Sequence, residues 1–174
     1  MYRFGCRDCS RTLYFKYNVC AEMPIIPATR FRADFAAALT NNPGERFIVD
    51  VRNNVGGNSA VLARLLPADP SHLRRIMITE RQTFSSGMFA AADLSRAGWT
   101  LVGEPTGGKP SAFGEVLTFT LPYSGLRGQY STRRFTGAVQ AQNDALLPDI
   151  PAPWTWPAFS QELDPFLEAA LALN

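Results

Sequence analysis

Hydrophobic and polar positions alternate along this chain in short blocks, and the blocks differ in period. Leu13-Tyr14-Phe15-Lys16-Tyr17 is an aromatic-rich run that reads as a strand ending at Asn18. Past the Pro24 to Pro27 turn, Phe31, Phe35 and Leu39 recur every four residues with Arg30, Arg32 and Asp34 between them. That spacing predicts a helix with one apolar face, stopped by Asn42-Pro43-Gly44. Phe47-Ile48-Val49-Asp50-Val51 is a continuous apolar run broken by one acid. Such a run marks a strand buried on both faces, and therefore a parallel sheet covered by helices. A Gly-rich turn, Asn53 to Asn58, leads to a stripe of Val61, Leu62, Leu65 and Leu66 that ends near Pro67.

The same order then recurs. Arg75 to Thr79 reads as a strand, Thr83-Phe84-Ser85-Ser86-Gly87 as a tight connection, and Met88 to Ala97 as a small-residue helix closed by Gly98. Two successive strand-turn-helix units favour an α/β fold. Trp99 to Val102 supplies a further strand, and Val116 to Leu121 with Gly128 to Phe135 form a hairpin around Pro122-Tyr123-Ser124-Gly125. Asp164 and Pro165 stand at the cap and first turn of a closing helix that turns Phe166, Leu167, Ala170 and Leu171 inward. Residues 1–12 are set apart as an N-terminal segment open to disorder, and 13–174 as one core domain.

Composition narrows the chemistry. The 174 residues allow one core, and the net charge of +2 argues against a basic nucleic-acid binder. No run approaches the ~18 to 20 apolar residues of a membrane span, and the first residues lack the apolar stretch of a signal peptide. Cys6, Cys9 and Cys20 offer one Cys-x-x-Cys pair, short of the four ligands of a structural zinc site, so reduced thiols are expected and no metal is. A single histidine, His72, is available to any Ser-His-acid triad. It lies in a polar loop before the strand that leads to Ser85, at the wrong end of that strand.

In open parallel sheets, ligands bind beyond the carboxyl ends of the strands. Gly56 and Gly57 would leave backbone amides open there to an oxyanion or phosphate, although the nucleotide-binding glycine spacings are missing. Ser85 and Ser86 sit between a strand and a helix N-terminus, where a hydroxyl either caps the helix or is presented to substrate. A nucleophilic serine needs a base. The chain has two lysines, Lys16 and Lys109, and Lys109 follows a strand in Gly103-Glu104-Pro105-Thr106-Gly107-Gly108-Lys109-Pro110. It would lie beside the Ser85 turn if the two strands are neighbours.

Together, Ile48-Val49-Asp50-Val51-Arg52-Asn53-Asn54-Val55-Gly56-Gly57, Thr83-Phe84-Ser85-Ser86, Leu101 to Lys109 and Leu147-Pro148-Asp149-Ile150 resemble the tail-specific (C-terminal-processing) serine peptidases. These S41 peptidases are related to the tricorn core protease and the interphotoreceptor retinoid-binding modules. The resemblance implies a ClpP/crotonase-like α/β core with a mostly parallel sheet, no cofactor and a polypeptide substrate. It also implies Ser85 as nucleophile, Lys109 as general base, and an oxyanion hole from the Gly56 or Gly57 amide with that of Ser86. The lysine-type enzymes carry Glu three residues after the nucleophile, where this chain has Met88.

Related members instead use a Ser-His-acid triad whose histidine lies upstream. The wording around Lys109 is closer to that branch, in which Asp144 is the candidate acid and Lys109 binds a peptide carboxylate or has no role. Members are usually longer and often exported, so this chain is expected to be a truncated or incomplete copy. A binding module without catalysis, as in the retinoid-binding relatives, is the alternative. An acyl-CoA enzyme of the crotonase type is opposed by the Thr-x-Ser and Asp-x-Arg-Asn-Asn motifs.

Overall fold

The computed structural model describes residues 2–7, 11–41, 44–66, 70–136 and 145–173. Its elements run β1 (Tyr2–Arg7), β2 (Thr12–Tyr17), α1 (Ala28–Asn41), β3 (Arg46–Asp50), α2 (Ala60–Leu65), β4 (Arg74–Thr79) and α3 (Ser86–Arg96). They continue with β5 (Thr100–Gly103), β6 (Ala112–Thr120), β7 (Arg127–Phe135), β8 (Ile150–Pro151), α4 (Trp156–Ser160) and α5 (Pro165–Leu171). One six-stranded sheet has the order β1-β2-β3-β4-β5-β8. All its pairings are parallel except β1 with β2. This is the α/β architecture expected from the buried strands and the repeated strand-turn-helix units.

Alternation along each strand divides the core in two. Phe15, Phe47, Val49, Met77 and Leu101 face α1, α2 and α3, whereas Ile48, Ile76, Ile78 and Val102 face α5 through Phe166, Leu167 and Ala170. Both faces of β3 are therefore dry, which is why its sequence shows no polar alternation. On the first face the rings touch in series, Phe15 to Phe35 at 5.4 Å, Phe35 to Phe47 at 5.2 Å and Phe47 to Trp99 at 5.1 Å between centroids. Each fully buried side chain of this size contributes about 1.5–3 kcal/mol. The Phe31, Phe35 and Leu39 stripe of α1 is the buried one, as its period requires.

Three elements carry no strong periodic signal. β1 falls within residues 1–12 and pairs with β2 along its whole length, Tyr2 against Tyr17 through Arg7 against Thr12. β8 has two residues, and α4 has five with none buried. The hairpin of β6 and β7 forms a separate two-stranded sheet. It reaches the main body where Phe135 meets Phe89 of α3, 5.2 Å between ring centroids. No helix among the described residues is long and apolar enough to cross a membrane.

Candidate active site

Parallel β3, β4 and β5 end on the same side of the sheet, so the loops after them are brought together. The loop after β3 carries Gly56 at φ 110° and Gly57 at φ 128°, values that side chains rarely tolerate. Close approach adds to the demand. A Cβ on Gly56 would come 2.7 Å from Ser85 Cβ, and one on Gly57 would come 2.4 Å from the Cys20 carbonyl oxygen. Gly57 is held there by a parallel bridge to Cys20, in which Cys20 N donates to Gly56 O at 2.9 Å and Asn58 N to Cys20 O at 2.7 Å.

The loop after β4 is fixed by buried Thr83, whose hydroxyl donates to Val51 O at 3.1 Å and accepts from Glu80 N at 3.1 Å. Ser85 follows with φ 49° and ψ −125° and stands at the N-cap of α3 without making a side-chain cap bond. Of the two roles open to a serine here, capping is thus not the one it takes. Its side chain is exposed and makes no hydrogen bond among the described residues. Ser86 is buried, and its hydroxyl donates to Gly57 O at 2.6 Å, which commits it to joining the two loops.

The amides sort in the same way. Gly56 N–H donates to Asn54 Oδ1 at 3.0 Å, whereas Gly57 and Ser86 N–H have no acceptor among the described residues. Ser86 is the first residue of an eleven-residue helix, where the dipole favours developing negative charge.

The loop after β5 joins this group because β5 does pair with β4. Gly107 N donates to Thr83 O at 3.0 Å, and a Cβ on Gly108 would lie 3.6 Å from Ser85 N. Lys109 comes next and is exposed. Ser85, Ser86, Gly57 and Lys109 all line one cavity of about 890 Å³, whose apolar wall includes Met88 and Phe135. Thr106, buried, holds the loop to the segment before β8 through Leu146 N to its Oγ1 at 3.0 Å. Asp144 lies outside the described residues, as does the side chain of Cys6 and all of Cys9. His72 is exposed at the opposite end of the sheet, in a basic groove with Arg74 and Arg75.

A second polar cluster near the end of β3 went unread in the sequence. Asp50 is fully buried and accepts from Lys16 Nζ at 2.9 Å and from Arg52 at 2.6–3.0 Å, as well as from the Tyr14 hydroxyl. Arg52 reaches on to Asp164 Oδ1 at 2.8 Å, and Asp164 also caps α5 through Leu167 N at 3.1 Å. Burial alone would raise the Asp50 carboxyl, but the Arg52 hydrogen bonds and the Lys16 and Arg52 charges hold it below the usual carboxylate range. Burial lowers the Lys16 ammonium, with Asp50 opposing. Burial and then Asp50 push the Tyr14 phenol up. The signal was available: an acid inside a buried strand must be paired.

No protein-family model and no curated protein matches the chain. Solved structures do. A candidate peptidase from Parabacteroides merdae superposes with a TM-score of 0.70 at 19% identity, over 99% of this chain and 64% of that one. A candidate S41 protease from Bacteroides fragilis gives 0.61 at 13% identity, over 98% and 56%. The photosystem II D1 C-terminal processing protease gives 0.53 at 18% identity, over 92% and 46%. The chain thus spans from about half to nearly two thirds of the length of these three proteins. Its fold is that of the S41-type peptidases.

Proposed function

We propose that this chain is a serine-type peptidase domain acting through an acyl-enzyme on Ser85. One observation carries the reading: an exposed hydroxyl with no partner among the described residues sits on a strained turn at a helix N-terminus, against a glycine and beside two amides likewise without an acceptor there. Ser85 Oγ attacks the scissile carbonyl and passes its proton to the Lys109 amine acting as general base. The oxyanion of the tetrahedral intermediate accepts from Gly57 and Ser86 N–H. Collapse expels the leaving amine, which takes the proton from Lys109, and water then hydrolyses the acyl-enzyme.

The test is fluorophosphonate labelling of the whole chain above pH 8, read by mass spectrometry. An adduct on Ser85 that is lost in Ser85→Ala is expected, as is labelling slower by roughly 100-fold or more in Lys109→Ala. Absence of any Ser85 adduct would overturn the reading. A non-catalytic peptide- or lipid-binding module is the second reading, favoured by buried Met88 in place of the related enzymes' Glu and by the exposure of Lys109. It calls for peptide or lipid affinity in the cavity that Ser85→Ala leaves unchanged.

A further inference from the structure

Asn54 is fully buried, and both ends of its carboxamide and both of its main-chain polar groups are hydrogen-bonded, to different parts of the site. Its Nδ2 donates to Tyr17 O at 2.8 Å, and its Oδ1 accepts from Gly56 N–H at 3.0 Å and from the Cys20 thiol at 3.4 Å. Its main-chain N donates to Val51 O at 3.2 Å, and its main-chain O accepts from Phe84 N–H at 2.9 Å. A flipped carboxamide would set its NH2 against the Gly56 N–H and its oxygen against the Tyr17 carbonyl, so one orientation is enforced.

Through these bonds one residue fixes both halves of the oxyanion site. The side chain sets Gly56, and with it the next amide, Gly57. The main-chain carbonyl sets Phe84, and with it Ser85 and the Ser86 amide. Consuming the Gly56 N–H also decides which glycine amide stays open. We propose that Asn54 is the positioning residue that registers the Gly57 amide against the Ser85 hydroxyl and the Ser86 amide. This rests on the reading of Ser85 as nucleophile.

The test compares wild type, Asn54→Ala, Asn54→Asp and Cys20→Ala by fluorophosphonate labelling rate, thermal unfolding and amide hydrogen exchange. Asn54→Ala labels about 100-fold slower, the loss typical of a misplaced oxyanion donor, and its Gly56 and Phe84 amides exchange faster together. Cys20→Ala removes only a weak thiol donor and labels within about threefold of wild type.

Asn54→Asp keeps the acceptor for Gly56 N–H but turns a carboxylate towards the Tyr17 carbonyl. Once protonated, it donates to Tyr17 O while still accepting from Gly56. The ratio of its labelling rate to that of wild type therefore rises towards one as pH falls, over a range in which both stay folded. This pH series decides the matter if Asn54→Ala does not fold.

Wild-type labelling rates in Asn54→Ala, a flat pH ratio, or a Cys20→Ala loss as large as that of Asn54→Ala would each overturn the assignment. A wild type that never labels defeats the peptidase reading instead. Asn54 is then decided by exchange alone: joint release of the Gly56 and Phe84 amides upholds it, and unprotected amides in the wild type overturn it.

Discussion

Two polar clusters lie at the carboxyl end of β3, one on its last residue, Asp50, and one on the loop that follows, and they are built on opposite rules. Around the buried Asp50 each charge meets a partner: the partly buried Lys16, Arg52, Tyr14 and Asp164 close on one another and tie β2 and β3 to α5. Around Ser85 a hydroxyl and two amides have no partner among the described residues and face a cavity. The contrast separates a fastener from a site. Saturated polar groups hold structure, and open ones arranged at a helix N-terminus are available for chemistry. The partly buried Lys16 belongs to the first cluster and the exposed Lys109 to the second.

Breaking the fastener should have the largest effect. Asp50→Asn leaves Lys16 and Arg52 without their buried counter-charge and should cost about 3–5 kcal/mol in urea unfolding. A loss below about 1 kcal/mol would show that the cluster holds little. Acid probes the same bonds without a mutation. Because the Asp50 carboxyl is held low in the folded state, its contribution is complete above the unfolded value of about 3.9. It is lost as pH falls through the lower folded value. Stability below pH 4 should fall more steeply in wild type than in Asp50→Asn, and parallel curves would contradict this.

At the open site the effects on stability are smaller. Gly57→Ala places a side chain at φ 128° against the Cys20 carbonyl and should cost about 2–3 kcal/mol together with Ser85 labelling. Unchanged labelling would remove Gly57 from the oxyanion role. Ser85→Gly should do the reverse, raising stability by about 1 kcal/mol as the strain at φ 49° and ψ −125° is relieved, while labelling disappears. A destabilised Ser85→Gly would mean that the turn stores no strain.

Much of this was legible in the residues. Period and length located β2, α1, β3, α2, β4, α3 and β5, because a stripe or a continuous apolar run must be buried on a helix or in a sheet. The Asp164-Pro165 cap located α5 because capping is local. β1, β8 and α4 gave no such signal, since two are edge strands of the sheet and the third buries no residue. Motif order brought Ser85, Gly56, Gly57 and Lys109 forward as a group. It did not separate Gly56 from Gly57, and it passed over Asn54, whose importance lies in contacts to Tyr17, Cys20 and Phe84 that are distant in the chain.

The sequence by itself determined the α/β class, the buried central strands and the residue types able to supply a nucleophile, a base and bare amides. Those follow from periodicity and from side-chain chemistry, which are properties of neighbours along the chain. Only the tertiary structure decided that Ser86 joins two loops while Ser85 stays open, that Gly56 spends its amide on Asn54 while Gly57 does not, and that Lys16 is bound to Asp50. The Ser86 and Lys16 bonds join elements far apart in sequence, which parallel pairing of β2, β3 and β4 brings within reach. The Gly56 bond spans two residues, but the Asn54 side chain that receives it is held by Tyr17, far away in the chain.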